Sequence, residues 1–219
     1  MPRRLNLPDS ASVATPDTAG KLFAPSAARN VAPLIDALKD LLPAEGEVLE
    51  IASGTGQHIA AYAEAFPALT WRPTEIDTTR RASIQAYVNE SSLTNLAAPQ
   101  DLDATAPGWA AQVGAPDVIL LSNLLHLIST TEAQTLIAEA AKALAPGGQL
   151  LIYGPFKRDG VLVSEGDQRF DADLRAQDPE IGYKSDTDVD AFATSHGLSK
   201  GTLTEMPANN LLLQQKKPL

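Results

Sequence analysis

A short glycine-containing loop is the first segment of this chain whose residue types can do chemistry: Ala52-Ser53-Gly54-Thr55-Gly56. An apolar run precedes it and a helical pattern follows, and a strand that turns sharply into a helix leaves free N–H groups at the helix N-terminus. Glycine lets the backbone approach a ligand there. A dinucleotide fingerprint needs glycine or alanine where Ile59 stands, and a Walker loop needs a lysine that is absent here. The loop alone also fits a plain tight turn, so its neighbours decide the chemistry.

Three acidic residues stand where successive strands of an alternating fold would end. Glu50, just before the loop, can accept hydrogen bonds from the amino group of a bound amino acid, directly or through water. Glu75 lies 19 residues beyond the second glycine, where a carboxylate binds a ribose diol in dinucleotide folds. Asp103 can accept from an exocyclic adenine amine; Asp77 and Asp101 are the alternatives to Glu75 and Asp103. One such acid would be an ordinary solvated charge, whereas three at successive strand ends favour a ligand site.

Histidines supply the candidates for proton transfer. His126 closely follows the most apolar strand and is the leading candidate for a general base, with Asn123 as a second catalytic candidate and Ser122 assigned to the cofactor. The alternative for His126 is a histidine that packs in a helix and bonds to backbone. His58 is favoured as a structural or cofactor-side residue, and His196 as a helix-terminal residue that suits the dipole.

Six residues are expected on the acceptor side, because ligands of doubly wound sheets bind beyond the carboxyl ends of the strands: Arg29, Asn30, Tyr153, Phe156, Lys157 and Arg158. The two aromatic residues would wall the pocket, although aromatic residues at a strand end also serve the core. The three cations are interpreted as binding an anionic small acceptor, such as a carboxylate. The alternative is that Lys157 and Arg158 pair locally with Asp159 or Glu165.

Strand and helix patterns alternate along most of the chain. Strands are expected near 47–52, 69–76, 102, 117–122, 149–153, 198–205 and 210–215, and helices over 57–66, 78–90, 131–144 and 185–196. Residues 26–42 have helical spacing, and Pro33 with Asn30 as its cap favours two short helices there. The alternation predicts an α/β fold with a Rossmann-like, doubly wound, seven-stranded sheet. The sheet is expected to be mostly parallel, with a C-terminal antiparallel hairpin.

Composition limits the classes of partner. The 219 residues suit one α/β domain, and a net charge of −10 disfavours nucleic acid. There is no cysteine, and the three histidines lack the spacing of metal ligands, so no metal site is expected. No apolar stretch approaches the roughly 20 residues that span a bilayer. A cytoplasmic protein without a membrane partner is the simplest expectation.

Six sequence words, in order over residues 21–213, carry a resemblance to known proteins: FAPSAARN at 23–30, LEIASGTGQH at 49–58, SNLLH at 122–126, YGPFKRDG at 153–160, FDADLR at 170–175 and MPANNL at 206–211. The loop and its acids resemble those of class I S-adenosylmethionine-dependent methyltransferases. The words are most similar to one family, which includes methyltransferase-like protein 26 and many bacterial relatives. Residues 180–184 depart from it, because relatives tend to carry a Trp-Gly-(Ile/Val)-Arg run there.

The resemblance implies S-adenosylmethionine as cofactor, with S-adenosylhomocysteine as product, and a cofactor site made of Glu50, Ala52, Ser53, Gly54, Thr55, Gly56, Glu75, Asp103 and Ser122. It implies methyl transfer to a small molecule by in-line displacement, in which positioning supplies much of the rate. The expected layout is a flexible tail at 1–20 and one methyltransferase domain at 21–219, with a helical cap at 21–46 and a family-specific acceptor-side insertion at 155–184.

Two other classes remain as alternatives. One is a non-catalytic module that has the methyltransferase fold and holds the cofactor or a partner. The other is a nicotinamide-dependent oxidoreductase, which Ile59 disfavours. The sequence leaves the acceptor, the methylated atom and the oligomeric state open.

Overall fold

A computed structural model describes residues 14–17 and 20–219 of the chain. Most of the expected flexible tail, residues 1–13 and 18–19, therefore lies outside the described residues. Two short strands, β1 (Thr15–Pro16) and β2 (Leu22–Phe23), pair antiparallel just before the first helix. Residues 15–16, which belong to the segment expected to be a tail, thus form a strand.

Helices and strands alternate from α1 to β6, and the bounds of the remaining elements are as follows: α1 (Pro25–Leu38), β3 (Gly46–Ile51), α2 (Gln57–Ala65), β4 (Leu69–Pro73), α3 (Thr78–Glu90), β5 (Val118–Ser122), α4 (Thr130–Ala143), β6 (Gln149–Pro155), α5 (Glu165–Gln177), α6 (Asp186–Ser195), β7 (Thr202–Glu205) and β8 (Asn210–Lys216). Short 3₁₀ turns lie at Trp109–Gln112, Leu125–Leu127 and Pro207–Asn209.

The central sheet has the strand order β4-β3-β5-β6-β8-β7. Strands β4, β3, β5 and β6 are parallel, while β8 runs antiparallel to both β6 and β7. The predicted α/β fold with a mostly parallel sheet and a C-terminal antiparallel hairpin is confirmed. The order reverses between β3 and β5, and ligands of open α/β sheets bind beyond the carboxyl ends of the strands at such a reversal.

The count of seven strands is wrong, because six strands are present among the described residues of this sheet. The strand expected near residue 102 is replaced by two isolated parallel bridges to the β4 segment, Trp71 with Leu96 and Thr74 with Gln100. Pro73 and Pro99 stand between these bridges, and proline has no N–H to donate to a ladder. The segment therefore follows β4 without forming a continuous strand.

Both faces of the sheet are covered by helices. On one face, buried side chains of α1, α2 and α3 pack with alternate strand residues such as Val48, Leu120 and Tyr153. On the other face, α4 and α6 pack against the intervening residues of the same strands, such as Leu49 and Leu121. The strands are apolar on both sides, as buried parallel strands are.

Two helical regions differ from the sequence expectation. α1 is one helix that continues through Pro33 rather than two short ones, with Pro25 in its first turn. α5 lies within residues 155–184, where no helix was predicted, and its Leu174 packs with Ile181 and Tyr183 in a small separate core. The capping pair Ser164 and Asp167 was the available sequence signal, but α5 is too polar to show a clear apolar stripe.

Candidate active site

The glycine loop lies at the carboxyl end of β3, beside the point where the strand order reverses. Ala52, Gly54 and Gly56 have positive φ angles of 53°, 59° and 91°, which bend the chain sharply before α2. A Cβ on Gly56 would lie 3.0 Å from Ile84 Cα, so packing against α3 requires this glycine. A Cβ on Gly54 would meet nothing nearer than 3.9 Å. The loop thus combines one packed glycine with one that leaves room for a ligand.

Two side chains tie the loop to the segment before α1. Ser83 of α3 is fully buried, donates its hydroxyl to Thr55 O at 2.7 Å and accepts from Leu22 N at 2.7 Å. Gln57 Oε1 accepts from Thr55 Oγ1 at 3.0 Å and from Ala24 N at 2.5 Å. The start of the N-terminal cap is therefore bonded directly to the loop.

Glu75, the acid after β4, faces the loop as the sequence predicts. Its Oε2 accepts from Gly54 N at 2.9 Å and its Oε1 accepts from Asp77 N at 3.0 Å, while the side chain is buried. A carboxylate has about four lone-pair positions, so each oxygen can still accept a further bond from a ligand. The alternative acid, Asp77, accepts from Arg80 N and caps α3.

Glu50, the acid before the loop, is only 2% exposed, and its Oε2 has no hydrogen-bond partner among the described residues. Burial raises the pKa of its carboxyl to about 7, and the charge of Glu75 acts in the same direction. Because Oε2 is buried, it receives no compensating hydrogen bond from bulk water. An orphaned buried acceptor beside the glycine loop is the feature that a cationic ligand group would satisfy.

Asp103 turns back onto its own segment. Its Oδ1 accepts from Thr105 N at 3.0 Å and from Thr105 Oγ1 at 2.6 Å. The alternative, Asp101, instead forms an ion pair of 2.9 Å with Arg81 and stays exposed. Asp103 is half-buried and free at its other oxygen lone pairs, so of the two it is better placed for a ligand.

Two candidate residues lie at the carboxyl end of β5, next to the loop. Ser122 pairs in register with Tyr153 of β6, and its hydroxyl is buried without a hydrogen-bond partner in the described chain. Asn123 follows with φ of 56°, a left-handed conformation that asparagine tolerates better than most residues, and its N–H donates to Tyr153 O at 2.8 Å. Such backbone at a strand end positions a side chain over the sheet.

His126 lies in the 3₁₀ turn Leu125–Leu127 and is 5% exposed. Its ring packs against those of Phe170 and Tyr183, with centroids 5.8 and 6.1 Å away. Burial, and then the positive charge of Lys184, lower the pKa of its imidazole to about 3. The ring is therefore neutral at neutral pH and a weak base in this conformation. This geometry matches the packing alternative better than it matches an accessible base.

The two aromatic acceptor candidates are not brought together. Tyr153 belongs to the core on the α1–α3 face, where its hydroxyl accepts from Asn210 Nδ2 at 2.9 Å. Phe156 is buried in the core on the opposite face. The two rings therefore pack on opposite faces of the sheet, which does not favour the prediction that they wall one pocket.

The cationic acceptor candidates have different surroundings. Arg158 donates from Nη2 to Asn209 O at 3.1 Å, at the turn between β7 and β8. It bonds to backbone rather than to Asp159 or Glu165, and Glu165 lies 3.5 Å from Arg169 instead. Lys157, the neighbouring cation, is half-buried. Of the two acceptor candidates in α1, Arg29 is exposed and Asn30 is half-buried.

Sequence reasoning missed one candidate, which lies beside His58, the residue favoured for a structural or cofactor-side role. Tyr62 of α2 is fully buried, and its hydroxyl has no partner in the described part of the chain. His58 stacks on it at 5.7 Å, and burial lowers the pKa of His58 to about 4. Both follow the apolar stripe of α2, so their spacing alone indicates only core packing.

Within residues 14–17 and 20–219, no helix combines the length and apolarity that crossing a membrane requires. In the same part of the chain, no three His, Asp or Glu side chains cluster closely enough to hold a metal ion.

Solved methyltransferases share this fold. An O-methyltransferase family protein from Burkholderia thailandensis superposes with a TM-score of 0.71 at 21% identity, over 85% of this chain and 56% of that one. Human N-acetylserotonin methyltransferase, in complex with S-adenosylmethionine, gives 0.71 at 14% identity over 87% and 52%. A methyltransferase of calicheamicin biosynthesis, with S-adenosylhomocysteine bound, gives 0.70 at 15% over 89% and 54%. The chain spans a little over half the length of these proteins.

The molecule therefore has the fold of class I S-adenosylmethionine-dependent methyltransferases. Within that fold, the chain belongs to the family described as "Protein of unknown function (DUF938)", whose model matches residues 21–217.

Proposed function

We propose that this chain is an S-adenosylmethionine-dependent methyltransferase that acts on a small-molecule acceptor. The observation that carries the proposal is the unpartnered carboxylate oxygen of buried Glu50, next to a loop whose Gly54 leaves open space. The position beyond β3 and β5, where the strand order reverses, supports it. We also propose kinship with the family that includes methyltransferase-like protein 26, on the sequence words in order along the chain.

The residues at these strand ends fit the cofactor. In this proposal Glu50 accepts from its amino group, Glu75 from its ribose hydroxyls and Asp103 from its adenine amine, while the backbone of residues 52–56 and the Ser122 hydroxyl line its path. When bound, S-adenosylmethionine supplies an electrophilic methyl group on a sulfonium. The task of the chain is then to orient the two reactants and exclude water.

The acceptor side is proposed to lie near the ends of β5 and β6. Asn123 is the better catalytic candidate, because its left-handed backbone holds an uncharged amide at the strand end. A base role for His126 would require α5 or residues 178–184 to move, since the ring is enclosed. Of the cations, Lys157 is the one to test for an anionic acceptor, because Arg158 already bonds to backbone.

Titration calorimetry with S-adenosylmethionine, S-adenosylhomocysteine and NAD tests the cofactor. We expect the first two to bind and NAD not to bind. At about 100 times its dissociation constant, a ligand should raise the free energy of unfolding by about 2.7 kcal/mol. If neither adenosyl compound binds, the proposal is overturned. Glu45→Gln, which removes an exposed carboxylate, is a control variant and should bind both adenosyl compounds as the wild type does.

A methyl-donor assay against a metabolite extract, with products identified by mass, tests the transfer. Once an acceptor is found, Lys157→Glu should raise its KM if the acceptor is anionic, whereas exposed Lys200→Glu should not. An unchanged KM in Lys157→Glu would exclude the hypothesis that Lys157 binds an anionic acceptor.

A non-catalytic binding module is the second candidate, and the enclosure of His126 is the observation that favours it. Binding of the cofactor without any methylated product from diverse extracts would support this alternative over the enzyme.

A further inference from the structure

Four buried polar atoms near the site lack hydrogen-bond partners in the part of the chain that the structure describes: the three oxygens Glu50 Oε2, Tyr62 OH and Ser122 Oγ, and Nε2 of His58, whose ring stacks on Tyr62. Leaving a buried polar group unpaired is unfavourable, so several such atoms in one place require a reason. They come from β3, α2 and the end of β5, which are far apart in sequence but meet at the point where the sheet order reverses.

The three oxygens lie on the same face of the sheet. Glu50 pairs in register with Leu120, and Ser122 follows two residues later, so both side chains point to the α1–α3 face. Tyr62 packs in the core of that face. These three residues, called the buried line below, come from the strand before the cofactor loop, the helix after it and the strand end that precedes Asn123.

The phenol lies between the two other groups. Burial raises the pKa of Tyr62, the charge of Glu50 raises it further, and the Ser122 hydroxyl lowers it. Each neighbour is therefore close enough to act on the Tyr62 hydroxyl, although no hydrogen bond is completed. A small adjustment would let Ser122 donate to the phenol and the phenol donate to the carboxylate.

We propose that Tyr62 is a positioning residue for Glu50: its hydroxyl donates to the carboxylate when a cationic ligand group binds at the glycine loop, and it accepts from Ser122. The proposal rests on the proposed function, because the cationic group is that of S-adenosylmethionine. Glu50 then loses a proton to solvent as the ligand binds, and the three orphaned oxygens become partnered together.

Among Glu50 and the ionisable groups near it whose pKa is shifted, Glu50 is the group that changes its protonation state near neutral pH. Glu50 has a pKa of about 7, and Glu75 contributes to that rise. Tyr62 and Tyr153 both have pKa values raised by burial, so they stay neutral. His58, stacked on Tyr62, has a pKa of about 4 and is neutral above pH 6. Cofactor affinity is therefore expected to increase with pH up to about 7 and to fall again above about pH 8, where the amino group of the ligand itself loses its proton.

Replacing Tyr62 by phenylalanine removes the donor but keeps the ring. The carboxylate of Glu50 then loses stabilisation, its pKa rises, and the midpoint of the affinity curve moves to higher pH. The free protein should remain folded, because the lost hydroxyl has no partner there. Tyr87→Phe is the matched control, since Tyr87 OH donates to Leu22 O away from the buried line.

The experiment is a titration of S-adenosylmethionine by calorimetry between about pH 5.5 and 8.5, in two buffers of different ionisation enthalpy that report the protons released. For the wild type we expect affinity to change by up to about tenfold per pH unit below the midpoint. Tyr62→Phe should bind roughly 3–10 times more weakly at pH 7, approach the wild type at high pH, and release its proton at a higher pH. Glu50→Gln should show no such pH dependence.

A Tyr62→Phe curve that superimposes on the wild type, or lies parallel to it at every pH, would overturn the proposal, because a merely structural role weakens binding equally at all pH values. Ser122→Ala tests the other end of the buried line and should shift the midpoint in the same direction by less. If the affinity-against-pH curve of Ser122→Ala lies parallel to that of the wild type, the proposed link between Ser122 and Tyr62 is likewise contradicted. Absence of binding by the wild type at every pH would instead overturn the proposed function.

Discussion

Gly54 donates its backbone N–H to Glu75 Oε2 at 2.9 Å, so the glycine loop and the acid after the neighbouring strand are joined directly by the chain's own atoms. The second oxygen of Glu75 accepts from Asp77 N at the start of α3. One carboxylate therefore sets the relative position of the loop and α3. A ligand that binds both finds them already arranged, which lowers the ordering cost of binding.

Glu75→Gln should affect both stability and cofactor binding. An amide presents only one acceptor, so either Gly54 N or Asp77 N loses its partner and faces an NH₂ group instead. We expect a loss of about 1–3 kcal/mol in the free energy of unfolding, measured by denaturant titration. Affinity for S-adenosylhomocysteine should fall at least tenfold, which is about 1.4 kcal/mol. An unchanged affinity would mean that Glu75 organises the loop without contacting the ligand.

The parts of the fold that could be predicted are those set by local patterns. The alternation of strand and helix patterns predicted α3 with the bounds that it has, Thr78–Glu90, and the apolar run of β5 predicted a buried parallel strand. Pro33 misled the prediction at α1, because packing of Leu34 and Leu38 against the sheet outweighs one missing hydrogen bond.

The parts that could not be predicted depend on contacts across long stretches of sequence. Spacing placed Glu75 near the loop, but not its bond to Gly54, 21 residues away. Nothing local distinguishes Tyr62 from a core tyrosine, because its relation to Ser122 exists only once β5 lies beside β3. His126 showed the reverse: its position after β5 suggested a base, and an unpredicted helix, α5, encloses it.

Asn123 allows the conformation of the strand end to be separated from its side chain. At φ of 56°, Asn123→Ala should cost about 1 kcal/mol, because a Cβ disfavours the left-handed region, whereas Asn123→Gly avoids that strain. Unfolding curves of the two variants test this expectation. If the amide contributes to methyl transfer, both variants should lose kcat to the same extent. Loss in the alanine variant alone would assign the role to backbone geometry.

His126 should make the protein sensitive to acid. Its pKa is about 3 in the folded state and roughly 6.5 when unfolded, so between these values the unfolded chain binds a proton that the folded chain does not. The free energy of unfolding should therefore fall as pH drops through that window, by up to about 1.4 kcal/mol per pH unit from this group. His126→Phe should reduce the slope between about pH 6 and 4. Parallel wild-type and variant curves would show that the ring is protonated in the folded state.

Lys184 should affect stability in the same pH window, because its charge acts on the imidazole of His126. Its ammonium donates to Ile128 O and Gly182 O, and its charge helps to lower the pKa of His126. Lys184→Met should destabilise the protein by about 1–3 kcal/mol at pH 7, because two carbonyls lose a charged donor. The variant should also show a shallower acid slope, since the pKa of His126 rises. Lys200→Met, at an exposed position, should change neither quantity.

Ser83 tests whether the segment before α1 helps to hold the cofactor loop. Its buried hydroxyl links Leu22 N to Thr55 O, so Ser83→Ala leaves one donor and one acceptor unpaired at once. We expect a loss of about 1–3 kcal/mol in the free energy of unfolding. Because Thr55 belongs to the loop, affinity for S-adenosylhomocysteine should fall as well.

Ser91→Ala is the matched control for Ser83→Ala. Ser91 follows the same helix, and its hydroxyl donates only to Val88 O, at the end far from the loop. It should leave cofactor affinity unchanged. Hydrogen exchange can locate the effect: in Ser83→Ala the amides of residues 22–24 and 54–57 should exchange faster together, because one hydroxyl joins them. Faster exchange at residues 22–24 alone would show that the loop holds its shape independently, and the N-terminal segment would then contribute to stability but not to the cofactor site.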